Sequence, residues 1–433
     1  MLRFFPFIPA VCARRVSRSF GRVPVPPDPG LLRRLAWLAA LFAALVAGTA
    51  WAADPAPAVY VWQRQWTPAL RAALADSRDL FGEVRVLVAQ AGHGGRWLET
   101  QADPSAFSGD RRERIAVIRY DGTGAPPEAA ALGPYLDRLL ARWRAEGMPF
   151  GGVEIDYDCA TAQLSAYAAR LRELREALPA PLRLSATALP AWLDASELDA
   201  VLDALDEAVL QVHAVQQPER GLFDAATAER WARAFAVRTR KPFRIALPAY
   251  GARLHLDGDG AVLAVESEMR LDAADRAGTR EVVAEPDAVV GFLARLAREA
   301  PAHWRGVVWF RLPVAGDRRA WTLAALREVI AGEVPQWRFE TTLRAQPGGV
   351  FDVAIRNRGG IAAPAPALHL TGGHCAAYDG VGDWRVRRRG DVLRFESAPG
   401  RLIAPGSERA VGWLRCAQAP HAMIEPTQGS DGK

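Results

Sequence analysis

Phe150-Gly151-Gly152-Val153-Glu154-Ile155-Asp156-Tyr157-Asp158-Cys159 reads as a buried strand with a carboxylate at every second position. Side chains at i, i+2 and i+4 of a strand share one face. Glu154, Asp156 and Asp158 therefore line one side, and Val153, Ile155 and Tyr157 the other. Three like charges on a buried face are costly unless arginines pair with them or chemistry requires them. The pattern favours a carboxylate-based active site, with a salt-bridged strand as the alternative.

Outward from this strand, the sequence alternates short apolar runs with helical patterns. The runs cover 59–66, 83–92, 114–122, 150–159, 183–190, 208–215, 243–251 and 305–313. Amphipathic stretches at 135–146, 164–178, 225–237, 287–298 and 318–330 lie among them. Near-continuous apolar strands alternating with helices predict a parallel sheet covered by helices. Eight such units match an α/β fold of the (β/α)8 TIM-type barrel. An open doubly wound sheet is the alternative, but no GxGxxG or P-loop follows the first strand.

In a barrel, alternate side chains point inward. With the acidic face of the fourth strand inward, the neighbouring inward candidates are Arg119 and Asp121, then Ser185 and Thr187. Gln211 and His213, Tyr250, and Trp309 with Arg311 follow around the ring. Asp158 lies nearest the C-terminal end of its strand, where barrel enzymes place their chemistry. Asp156 sits one pleat deeper, about 6.6 Å away along the strand. Its charge, added to burial, raises the pKa of Asp158 toward that of a general acid working near neutral pH. Glu154 lies deeper still and is expected to form a structural ion pair with Arg119.

These residues carry a resemblance. Gly152-Val153-Glu154-Ile155-Asp156-Tyr157-Asp158 resembles the DGxDxDxE strand-four motif of the family 18 glycoside hydrolases, the chitinase-like enzymes. Leu247-Pro248-Ala249-Tyr250-Gly251 resembles their GxPxYG signature, and Val307-Val308-Trp309 ends strand eight with a tryptophan as theirs does. The whole chain, from Tyr60-Val61-Trp62 onward, is similar to a bacterial family described as domain of unknown function 3142. The chitinase-like resemblance implies that Asp158 is the catalytic acid and that Asp156 supports it. It also implies that Trp309 floors a sugar subsite beside Tyr250. The sequence departs from the pattern in its shorter acid, in Gly151 at the first motif aspartate, and in Gln211-Val212-His213-Ala214 on strand six. That strand lacks the Tyr-Asp pair that the resemblance ties to acetamido-assisted catalysis. Gln211 and His213 could orient a different sugar, or His213 could be a core histidine.

Aromatics point the same way on their own. Trp62, Trp66, Tyr120, Trp192 and Trp309 all fall near the C-terminal ends of their strands. Flat rings there suit stacking on pyranose faces, although rim packing accounts for any single one. A hairpin insertion is expected at about 252–285, turning at Gly258-Asp259-Gly260, where a plain turn is favoured over a calcium loop. No cofactor or metal is expected, since a single inward histidine accompanies the three carboxylates.

The ends of the chain bound its setting. Residues 1–53 carry Arg33-Arg34, an apolar run at 35–46 and Ala50-Trp51-Ala52, which together read as a signal peptide, or otherwise as a membrane anchor. Beyond it, 47 basic side chains face 48 acidic ones, so the formal charge of +5 is mostly the leader's and gives no nucleic-acid footprint. Export would permit Cys375 and Cys416 to pair, while Cys159 reads as a small buried residue. The barrel is expected over 54–334, a small β-sandwich-like domain over 335–420 and a polar tail over 421–433. The reading is an exported, periplasmic or extracellular, glycoside hydrolase-like protein acting on a polysaccharide. No nucleic acid is expected as a partner, and no membrane beyond the leader. The alternative is an inactive polysaccharide-binding or envelope-structural barrel.

Overall fold

The structure, a computed structural model, describes residues 56–91, 97–120, 129–213, 221–266, 278–317, 319–398 and 401–425. The expected leader at 1–53, the inward candidate Asp121 and the tail beyond 425 lie outside the described residues. No helix among those described is long and apolar enough to cross a membrane.

Eight parallel strands form the barrel: β1 (Ala58–Val61), β2 (Glu83–Ala91), β3 (Glu113–Tyr120), β4 (Gly152–Tyr157), β5 (Arg183–Ala188), β6 (Glu207–Gln211), β7 (Phe243–Pro248) and β8 (Trp304–Phe310). Each pairs with the next, and β1 pairs with both β2 and β8, through Ala58↔Glu83 and Ala58↔Val308. That closure excludes the open doubly wound sheet. Every residue of β4 and β7 is buried, as expected of strands covered on one side by helices and on the other by the barrel interior.

The helices are α1 (Pro68–Asp76), α2 (Ala129–Ala145), α3 (Leu164–Ala177), α4 (Leu198–Asp203), α5 (Ala225–Arg238), α6 (Pro286–Arg298) and α7 (Leu323–Ile330). Local chemistry starts and stops them. Thr67, Asp224 and Thr322 cap the first turns of α1, α5 and α7 by accepting from backbone N–H groups, and Pro68 and Pro286 occupy first-turn positions. Gly147, at φ +76°, reverses the chain after α2. The alternation has one gap. Among the described residues, the β2–β3 link holds only the short antiparallel strand Trp97–Glu99 and a 3-10 turn at Pro104–Phe107.

After β7 the chain builds more than a hairpin. Gly251–Leu256 pairs on one side with Val262–Glu266 and on the other with Gly278–Val283, giving a three-stranded antiparallel sheet. Asp257 Oδ1 accepts from the backbone of Asp259 and Ala261, so the Gly258–Gly260 corner is a plain turn.

The C-terminal domain stacks two four-stranded antiparallel sheets. One runs Phe339–Gln346, Val350–Asn357, Glu408–Cys416, Cys375–Gly380; the other runs Trp384–Arg389, Val392–Ser397, Leu368–Thr371, His421–Ile424. Val353, Ile355, Leu370, Phe395, Val411 and Leu414 contribute to its core. Cys375 and Cys416 form a disulfide between neighbouring strands. His421–Ile424 pairs with Leu368–Thr371, so the domain continues past the expected boundary at 420.

Candidate active site at the barrel mouth

The barrel interior is polar at both ends and apolar between them. Toward the N-terminal ends of the strands, the fully buried Arg85 guanidinium pairs with Glu83, Glu154 and Glu207. Arg183 and Arg244 complete the set by pairing with Glu83 and Glu207. Three carboxylates thus meet three guanidiniums, which is how charges survive in a core. Tyr60 donates its hydroxyl proton to Glu154 Oε1 at 2.6 Å. Above this network, Ala58, Leu87, Val117, Val209, Ala246 and Val308 form the apolar filling.

This arrangement overturns the expected Glu154–Arg119 ion pair. Strand register decides the matter: Arg119 lies opposite Asp156, whereas Val117 lies opposite Glu154. Arg119 accordingly pairs with Asp156, and its other terminal nitrogen lies 3.6 Å from Asp158. Arg85, two strands away from Glu154, supplies the buried partner instead. Its place two residues after Glu83 was the available signal, since i and i+2 share a face.

Toward the C-terminal end, Asp156 is buried and accepts from Thr187 Oγ1 at 2.9 Å. Gln211 Nε2 spans the two aspartates, 3.4 Å from Asp156 Oδ1 and 3.3 Å from Asp158 Oδ1. Asp158, just past the end of β4, keeps a third of its side chain exposed. Burial, with the charge of Asp156 behind it, pushes its pKa up to about 6, against the pull of Arg119 and Gln211. The strand's exit is fixed by Trp192, which donates its indole proton to Cys159 O at 3.0 Å, and by Tyr157, which donates to Gln163 at 3.1 Å. Gly151 stands where the chitinase-like motif has an aspartate; a Cβ there would meet Glu113 Oε1 at 2.5 Å.

An aromatic wall borders the aspartates, although its members differ from those expected. Trp62 lies under the Arg119 guanidinium, 5.6 Å from the ring centre, and packs against Phe310 at 5.1 Å. Phe310 also touches Tyr250 and stacks on His213, each at 5.5 Å between ring centres. His213 Nδ1 is buried without a hydrogen-bond partner among the described residues, and burial lowers the imidazole pKa to about 4.

Four other rings are not at the mouth. Trp309 is fully buried in the outer core, 6.2 Å from Trp321, because Val308 and Phe310 take the inward positions of β8. It therefore cannot floor a subsite. Tyr120 is opposite the outward-facing Tyr157 in register and packs on Tyr157 and Trp97. Trp66 packs on Phe107, and Trp192 is buried. Arg311, just past the end of β8, pairs with Asp317 at 2.6 Å. Once the register against β1 sets Val308 inward, alternation places Phe310 inward with it, as Trp62 does Tyr60.

Among the described residues, no three His, Cys, Asp or Glu side chains gather as a metal ion would require. The arrangement suits proton transfer: a partly exposed acid with a raised pKa, a second carboxylate held by three donors, and flat rings alongside.

Residues 110–315 match the family described as Domain of unknown function (DUF3142), and residues 340–417 match Domain of unknown function (DUF8456). No curated protein matches the sequence. Similar solved structures include the spore cortex-lytic enzyme SleL of Bacillus cereus, 12% identical over 64% of this chain and 74% of that one, with a TM-score of 0.48. A chitinase from Chromobacterium violaceum ATCC 12472 is 15% identical over 60% of this chain and 95% of its own, with a TM-score of 0.45. The Group II chitinase catalytic domain 2 of Ostrinia furnacalis is 13% identical over 65% and 97%, with a TM-score of 0.42. Likenesses this distant do not say what this chain acts on. Residues 110–315, from just before β3 to just past β8, are thus similar to the family described as Domain of unknown function (DUF3142).

Proposed function

We propose that this protein is a glycoside hydrolase that acts on a polysaccharide after export. Asp158 is its general acid, and Asp156, Gln211 and Arg119 set that acid's proton affinity. The observation that carries this reading is the state of Asp158: one-third exposed, at the C-terminal end of a barrel strand, with a pKa of about 6. A carboxyl group of that kind keeps its proton up to about pH 6, well above an ordinary aspartic acid, and can give it to a departing glycosidic oxygen. Trp62 and Phe310 supply flat apolar surface beside it, and Tyr250 a ring with a polar tip. His213 is neutral at physiological pH and acts as a hydrogen-bonding group rather than a charge. The Cys375–Cys416 disulfide supports an oxidising compartment, periplasmic or extracellular, in keeping with the apolar segment at 35–46.

Hydrolysis of a panel of β-linked glycans, followed by reducing-end release, tests the reading. Turnover by the wild type that disappears in Asp158→Asn supports it. One observation favours a second reading, a barrel that binds polysaccharide without cleaving it: Arg119 lies 3.6 Å from Asp158 and can hold it ionised. Glycan binding by the wild type and Asp158→Asn alike, with no turnover by either, would establish that alternative.

A further inference from the structure

A second cleft, of about 730 Å3, opens beside the mouth, between the barrel, its three-stranded insertion and the C-terminal domain. It is joined to the acid site by chain alternation. Trp62 and Phe310 face the aspartates, while their neighbours Gln63 and Arg311 line the cleft. The two sites thus share the ends of β1 and β8.

The charges lining the cleft do not balance. Five arginines reach it, against Glu266, Glu281 and Asp317. Those three carboxylates are committed: Arg253 to Glu281 at 2.9 Å, Arg311 to Asp317 at 2.6 Å, and Arg319 to Glu266. Glu266 also meets His255 at 2.9 Å, and Glu281 accepts from Leu402 N at 3.3 Å, which ties the C-terminal domain to the insertion. The surplus comes from the C-terminal domain. Among the described residues, Arg401 pairs only with Asp383, which is outside the lining, and Arg409 has no carboxylate partner.

We infer that this cleft binds the acidic substituents of a polysaccharide, carboxylate or sulfate. Planar guanidinium forks match oxyanions of this shape in paired hydrogen bonds. A saccharide fits better than a nucleic acid because the surplus is local: beyond the leader, basic and acidic side chains nearly cancel, leaving no field to follow a phosphate backbone. The choice of a saccharide rests on the proposed function; the oxyanion specificity rests on the arginines alone.

The test is binding of the purified full chain to polygalacturonate, dextran sulfate, neutral dextran and a single-stranded oligonucleotide, by affinity electrophoresis and calorimetry at low salt. The wild type should bind at least one of the two acidic polymers and ignore neutral dextran, and which polymer it holds tells carboxylate from sulfate. Arg401→Ala and Arg409→Ala should each weaken binding by about tenfold, the cost of losing a charge-assisted hydrogen bond. Both residues are exposed, and an unchanged urea midpoint would show that the variants fold; Arg409→Lys should retain part of the affinity. Arginine-dependent binding without hydrolysis of any glycan would support the cleft and count against the catalytic reading. The inference is overturned if neither acidic polymer binds, if the alanine variants bind as tightly as the wild type, or if the oligonucleotide binds more tightly than both polymers.

Discussion

Replacing Asp158 with asparagine should leave the protein inactive yet more stable at neutral pH. The fold raises the Asp158 pKa from 3.8 to about 6. Because the folded-state value is the higher one, the protonated carboxyl contributes stability that is fully present below pH 3.8 and lost as pH rises through about 6. For a wholly buried group the shift is worth about 3 kcal/mol, at about 1.4 kcal/mol per pH unit. With a third of the side chain exposed, solvent screening reduces this to about 1 kcal/mol. Asparagine has nearly the same shape and no charge to lose. The variant should therefore match the wild type near pH 4 and exceed it by about 1 kcal/mol at pH 7.5, while glycan hydrolysis falls by about 10²- to 10⁴-fold. Urea denaturation followed by tryptophan fluorescence at the two pH values measures the first effect, and reducing-end release the second. A variant less stable than the wild type at pH 7.5 would refute the reasoning. It would mean that ionised Asp158 is an anchor for Arg119 rather than an acid held under strain.

Other perturbations test the surroundings. Gln211→Leu removes a hydrogen bond that favours ionised Asp158, so the alkaline limb of the pH–rate profile, set by a group near pH 6 in the wild type, should move upward. Arg85→Met strips Glu154 of its guanidinium partner, leaves Glu207 with Arg244 alone, and should cost about 3–5 kcal/mol in urea unfolding, a penalty expected when one partner of a buried charge network is removed. Reduction of the Cys375–Cys416 disulfide, which spans 41 residues of sequence, should destabilise the C-terminal domain by about 4 kcal/mol, visible as a lower unfolding midpoint in dithiothreitol. Imidazole titration by NMR should find His213 neutral down to about pH 4, and a His213 still charged at pH 6 would contradict its buried place against Phe310.

Local pattern was enough to read the barrel. Runs of buried residues one strand long, separated by helices of 3.6-residue period, leave little choice but a closed parallel sheet, and alternation alone put Asp156, Asp158, Thr187 and Gln211 on one face. The ranking of the three carboxylates was also legible, because depth in a barrel follows position along the strand. Partnership was not. Which arginine meets Glu154 depends on register between strands far apart in sequence, and Arg85 is 69 residues away. Parity on β8 depends on how that strand closes against β1, which a string of apolar residues does not record, so the inward ring is Phe310 and Trp309 lies in the outer core. The arginine cleft draws on residues from 63 to 409 and exists only where the insertion, the ends of β1 and β8 and the C-terminal domain meet. The sequence by itself determined the layers of this protein and the acidic face at its centre, because those follow from the spacing of side chains along one strand. Tertiary structure decided which charges cancel and which remain free to act, because that depends on distances between strands that the chain brings together only when it closes.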